Sequence, residues 1–110
     1  MVKVTFDEYF LEIAGDAANV INTISYAAID TIYPITSVQL YRDAPVLMGE
    51  PEETERVEEF HVEILLRDGH KERIQLSNVT NQAGWTNDAA GAGACVKDIY
   101  AAMGDSLTAF

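Results

Sequence analysis

Phe60-His61-Val62-Glu63-Ile64-Leu65-Leu66-Arg67-Asp68-Gly69-His70-Lys71-Glu72-Arg73-Ile74-Gln75-Leu76-Ser77-Asn78-Val79 decides the fold. Phe60, Val62, Ile64 and Leu66 alternate with His61, Glu63 and Arg67, the period of a strand with one apolar face. Leu65 is the exception on the outer face. Asp68-Gly69 marks a turn, and Ile74 and Leu76 supply the returning apolar set. A two-residue turn would set Ile64 against Arg73 and break the apolar face. A three-residue loop, Arg67-Asp68-Gly69, pairs Leu66 with His70, Ile64 with Glu72, Glu63 with Arg73, Val62 with Ile74 and Phe60 with Leu76. A slip by one residue inverts every side chain, so parity selects the odd loop. Gly69 then takes the position that needs positive φ, and Glu72 sits where its charge reaches water.

Upstream, Val2–Phe6 alternates as a strand. Phe6–Ala14 carries both a helical spacing (Phe6, Tyr9, Phe10, Ile13, with Thr5 and Glu8 as a capping box) and an alternation (Tyr9, Leu11, Ile13). The Tyr, Phe and Ile content tips this segment to strand, with Gly15-Asp16 as its turn. The β-branched density from Val20 to Ile32 predicts strands at Val20–Ile24 and Ala28–Tyr33. Pro34 lacks a ladder donor and marks a strand end or an edge. Alternation resumes over Ile35–Arg42. Residues 43–58 read as a long polar loop with an apolar island at Val46-Leu47-Met48.

The last element is a helix capped by Thr86 or Asp88. Ala92, Cys95, Val96, Ile99 and Met103 form its apolar stripe, and Gly104 reads as the C′ residue that ends it. The expected fold class is α+β. An antiparallel meander of four to six strands, partly rolled, is covered by one C-terminal amphipathic helix. The order of elements resembles that of a PH-like half-barrel. Residues 1–104 form one domain and 105–110 a short tail.

Length and composition agree with one domain. The chain has 110 residues, 48% of them apolar, enough to bury a core without metal or disulfide support. A single cysteine excludes an internal disulfide. No basic-then-apolar leader opens the chain, and no apolar run reaches the ~18 residues of a membrane span. The expectation is a protein made in a cytoplasm, with no membrane association. The formal charge of −11 argues against direct nucleic-acid binding, which needs cations at the phosphates. Glu50, Glu52, Glu53, Glu55, Glu58 and Glu59 with Arg56 give the segment 50–59 a net −5. That run reads as a solvated face that keeps the chain in solution, or as an acidic patch that docks a basic partner.

No residue pattern demands catalysis. Cys95 lies on the helix's apolar stripe, where cysteine acts as a small hydrophobe; a nucleophile needs an adjacent base and partial exposure. His61 and Glu63 share a strand face, with Gln75 or His70 as further candidates, yet zinc-type spacings are missing, and solvated outer-face residues account for the pair. Asp7, Glu8 and Glu12 form an acid pair only where neighbouring strands bring them together. No nucleophile elbow, P-loop or dinucleotide fingerprint occurs. No cofactor or metal is expected.

The stretch Asn78-Val79-Thr80-Asn81-Gln82-Ala83-Gly84-Trp85-Thr86-Asn87-Asp88 is rich in amides and holds the only Trp. Its Asn and Asp side chains suit an irregular connection, and Trp85 suits a wedge between sheet and helix with its N–H on a carbonyl. Trp85 as an interface anchor is the alternative. With the hairpin before it and the Ala/Gly-rich helix Ala89–Met103 after it, this third of the chain resembles small virion or accessory proteins of tailed bacteriophages. The resemblance implies assembly rather than catalysis, as a head decoration (cement) or connector protein. Protein partners, a copy of itself or a larger assembly, would then meet Trp85, Asn81, Gln82, Leu47, Met48, Leu107 and Phe110. Two other classes stay open: an acidic inhibitor that mimics nucleic acid to block a host enzyme, and a small ligand-binding module or enzyme with a concave polar pocket.

Overall fold

The structure is a computed structural model that describes residues 1–15, 21–42, 54–80 and 83–108. It is α+β. Six antiparallel strands run in chain order and form two three-stranded sheets, followed by one helix. The first sheet holds β1 (Lys3–Phe6), β2 (Phe10–Ala14) and β3 (Ile21–Ser25) in that order. The second holds β4 (Ile29–Arg42), β5 (Thr54–Leu66) and β6 (Lys71–Gln75). A 3-10 turn at Tyr26–Ala28 breaks the meander between the sheets. Arg67 pins it, with its N–H on the Ala28 carbonyl at 2.9 Å and its Nε on the Ala27 carbonyl at 3.0 Å.

The β5–β6 hairpin has the register that parity predicts. Val62 opposes Ile74, Glu63 opposes Arg73 and Ile64 opposes Glu72. The Leu66 N–H donates to the His70 carbonyl at 2.8 Å, and Gly69 closes the loop at φ +94°. Val62, Ile64 and Ile74 are fully buried. The hairpin is shorter than its apolar pattern suggests. The ladder ends at His61 and Gln75, and Leu76 turns into a 3-10 turn, Leu76–Asn78, so Phe60 and Leu76 do not pair. The Phe60 N–H is taken instead by the Asn87 side-chain oxygen at 3.0 Å. Val79 then runs beside Val2 in a parallel bridge that ties the two sheets.

Phe10–Ala14 is a strand, as its alternation indicates. Of the two readings of Pro34, the edge is the one found: it lies inside the 14-residue β4, on the outer edge of its sheet, where no N–H is needed. The polar loop drawn over 43–58 is corrected. From Thr54 onward the chain is already β5, paired to β4 as far as Arg42 opposite Thr54. Glu and Arg occupy both parities of residues 54–59, so that stretch shows no apolar alternation to mark it as a strand. Asp16 of the expected turn lies outside the described residues.

The helix α1 covers Ala89–Thr108. Asp88 caps it: its Oδ1 accepts the Gly91 N–H at 2.7 Å and the Thr86 hydroxyl at 2.7 Å. The Gly91 N–H, and then the Thr86 hydroxyl, hold the Asp88 carboxyl below its ordinary value. Ala92, Cys95 and Ile99 are buried against the sheets, and Val96 and Met103 partly so. Gly104 does not stop the helix. Residues 105–108 continue it, so they are not a tail. A single Gly costs a helix about 1 kcal/mol, which one interior position does not turn into a stop. One core joins the elements: Val4, Leu11, Ile13 and Ile24 from the first sheet, Ile32, Val62, Ile64 and Ile74 from the second, and Cys95 and Ile99 from the helix.

Candidate functional site

The best-defined polar constellation lies on the face of the second sheet turned away from its apolar side. β5 is the middle strand, so its odd residues share a face with odd residues of β4 and β6. Register sets Tyr33 opposite Glu63, Ile35 opposite His61 and Ser37 opposite Glu59, with Arg73 and Gln75 across on β6. His61 and Glu63 are each 6% exposed. The reading of this pair as solvated outer-face residues is therefore corrected. Side chains of the flanking strands enclose them: Arg73 opposite Glu63 follows from the hairpin register, whereas Tyr33 and Ser37 on β4 have no signal in the 60–79 segment.

Glu63 accepts a short hydrogen bond from the Tyr33 hydroxyl, and Arg73 approaches its other oxygen at 3.4 Å. The Tyr33 bond is the main reason the Glu63 carboxyl titrates below its ordinary 4.5, with Lys71 and Arg73 adding to it. The same bond is the first cause that raises the Tyr33 phenol above 10.0. A depressed carboxylate adds stability that is present above 4.5 and is lost as pH falls through its folded value. A raised phenol adds stability that is present below 10.0 and is lost as pH rises through its folded value. Tyr33→Phe should thus lower the thermal midpoint relative to the native chain between these limits. The gap should close toward both ends of a pH series followed by circular dichroism. A gap that persists unchanged in strong acid would show that the bond does not depend on the Glu63 charge.

Ser37 Oγ lies 2.9 Å from His61 Nε2 and 3.5 Å from the Glu59 carbonyl. One assignment satisfies both contacts: Nε2–H donates to the hydroxyl, which donates to the carbonyl. His61 Nδ1 is then a buried acceptor with no partner among the described residues. The geometry differs from that of a nucleophilic serine. A triad places its carboxylate on the far imidazole nitrogen, whereas Glu59 Oε2 sits 3.9 Å from Nε2, the nitrogen that Ser37 already uses.

The remaining candidates disperse. His70 is an exposed residue at the hairpin end, with Asp68 at 3.3 Å. Gln75 lies across from His61, yet its Nε2 donates to Ser77 at 3.0 Å. Asp7 and Glu8 occupy the turn after β1, while Glu12 stands on β2 opposite Thr5 and Thr23. Among the described residues no group of three His, Cys, Asp or Glu side chains is placed to hold a metal ion. Cys95 is fully buried, and burial, then the Asp98 charge, pushes its thiol up to about 12. It packs as a small hydrophobe.

Trp85 is 5% exposed. It meets Phe6 edge to face with ring centroids 6.0 Å apart, and its Nε1–H donates to Asp98 at 2.7 Å. Its side chain serves the core, with a carboxylate rather than a carbonyl as acceptor. Comparison with family models, curated proteins and solved structures returns no match. Of the other residues expected to meet a partner, Leu47, Met48, Asn81, Gln82 and Phe110 lie outside the described residues, as do Glu50, Glu52 and Glu53. Leu107 is within α1 and Glu55 within β5. Glu58 and Glu59 are neighbours on β5 and point to opposite faces, Glu58 exposed and Glu59 half-buried beside His61. They do not form a single acidic row. Among the described residues no helix is long and apolar enough to cross a membrane.

One feature of β4 and β5 had no counterpart in the sequence reading. β6 covers only His61–Leu65 of β5. From Phe60 opposite Thr36 to Thr54 opposite Arg42, the two strands pair only with each other among the described residues. This two-stranded arm is about 20 Å long at the usual rise per residue.

Proposed function

We propose that the chain is a non-enzymatic interaction protein that acts as a part of a protein assembly. The arm carries this reading. Two-stranded ribbons are marginal in water and gain stability from further strands or a packed face. A long ribbon projecting past its own third strand is suited to contacts with another chain. The kind of assembly comes from the resemblance of residues 78–103 to small virion and accessory proteins of tailed phages, as a head decoration or connector component. The opposed directions of Glu58 and Glu59 weigh against a phosphate-mimicking acidic row.

The test shortens the arm. Ser37 and Glu59 are a register pair, so Asn-Gly can replace residues 38–58 as a two-residue turn. The full chain should give a mass above 12.1 kDa in size-exclusion chromatography with light scattering. The shortened chain should keep its thermal transition and run as a monomer. A full chain that stays monomeric at every concentration overturns the reading, as does an assembly that survives loss of the arm.

A further inference from the structure

We infer that two copies of this chain pair antiparallel through the outer edge of β4 at Thr36–Arg42, making one continuous sheet across a two-fold axis. The inference rests on the assembly reading above and names its partner.

Hydrogen-bond parity shows which groups are available. The Leu66 N–H turns to β6, so even residues of β5 bond toward β6 and odd residues toward β4. The even residues of β4, opposite even residues of β5, therefore turn their N–H and C=O groups outward. The first part of that edge is closed. The Tyr100 hydroxyl meets the Ile32 N–H at 3.1 Å and the Ile32 carbonyl at 3.5 Å. Pro34 has no N–H at the next outward position. These are the devices by which natural edges are blunted. They stop at Pro34. Thr36, Val38, Leu40 and Arg42 turn outward with no strand beside them among the described residues.

Charge selects the occupant. Two chains of formal charge −11 repel, so the contact must lie where acids are few. Residues 36–42 read Thr-Ser-Val-Gln-Leu-Tyr-Arg, with one cation and no acid. The other rim of the arm, residues 54–59, reads Thr-Glu-Arg-Val-Glu-Glu, and pairing it with itself would oppose like charges, Glu with Glu or Arg56 with Arg56 according to register. That rim is also partly occupied, since Asn87 takes the Phe60 N–H and Glu58 is not free. The outward set is symmetric about Gln39. Antiparallel pairing centred there sets Thr36 of one copy opposite Arg42 of the other, and Val38 opposite Leu40. Each such pair exchanges both N–H···O bonds, and no like charges meet. The contact is isologous and therefore closes at two copies.

Two variants test it in the full chain. Val38→Pro removes an outward donor and leaves the β4–β5 ladder intact, in the way Pro34 already does in the same strand. Gln39→Cys puts two thiols across the two-fold axis at a non-hydrogen-bonded pair, where Cα atoms approach to about 4.5 Å, within reach of a disulfide. Expected are a native mass of twice 12.1 kDa, a halved mass for Val38→Pro with the native far-ultraviolet circular dichroism spectrum and a thermal midpoint that no longer rises with chain concentration, and a disulfide-linked dimer of Gln39→Cys on a non-reducing gel. Buried Cys95 alone should give no such band in the native chain. A dimer that survives Val38→Pro without a Gln39→Cys cross-link overturns the inference. So does a ladder of masses, which would mean head-to-tail contact of β4 with β5. In both of those cases, loss of assembly in the shortened-arm chain leaves the assembly reading standing.

Discussion

Gly91→Ala should destabilise the fold by roughly 3 kcal/mol or more, while Gly93→Ala, two residues along the same helix, should stabilise it by about 0.5–1 kcal/mol. A Cβ on Gly91 would lie 1.8 Å from the Thr86 carbonyl oxygen and 2.4 Å from the Thr86 nitrogen. Both are backbone atoms, so no rotamer change relieves the overlap. The Thr86–Asp88 segment would have to move, and the Asp88 cap with it. Gly93 has nothing within 4 Å of its added Cβ and is exposed. There the substitution removes only the entropy that Gly loses in a helix. Urea unfolding reads both, with midpoints compared at constant slope. Equal midpoints for Gly91→Ala and the native chain would mean that Thr86 does not lie on the helix as described.

This pair also shows where sequence reasoning stopped. Two glycines in a first helical turn read alike as weak helix formers that permit close packing. Which one carries the approach depends on the path of residues 83–88, and no periodicity encodes that path. The β5–β6 register was legible because a single buried face makes one parity right and the other wrong, and Gly69 punctuates it. Wherever both faces of a strand are occupied that logic weakens. His61 and Glu63 were placed on the correct face, yet their burial depends on Tyr33 and Ser37. Pro34 stands between those two residues. Reading it as a possible strand end hid the fact that they lie on one strand and one face. The same local rule, applied without knowledge of which edge faces outward, also hid the arm. At Thr54–Glu59 charges occupy both parities, and no apolar stripe announces the strand.

Trp85→Ala should cost roughly 3–5 kcal/mol, the range for deleting a buried aromatic side chain, and should do so in the isolated chain without any partner present. The indole is 5% exposed, packs edge to face on Phe6 and donates to Asp98. It joins the N-terminal strand to the helix across the core. Its loss removes apolar area, an aromatic pair and a charge-assisted hydrogen bond together. Asp98 is itself exposed, so water rehydrates the stranded carboxylate and the packing loss dominates. Trp85→Phe separates the contributions, because it retains much of the area while deleting the N–H donor; its midpoint should fall between those of the native chain and Trp85→Ala. Unfolding is followed by far-ultraviolet circular dichroism, since the substitution deletes the only Trp. An interface anchor would behave in the opposite way. If Trp85→Ala left the thermal midpoint of the isolated chain unchanged and abolished only its self-association, Trp85 would belong to a contact surface, and the link between Phe6 and the helix would carry no stability.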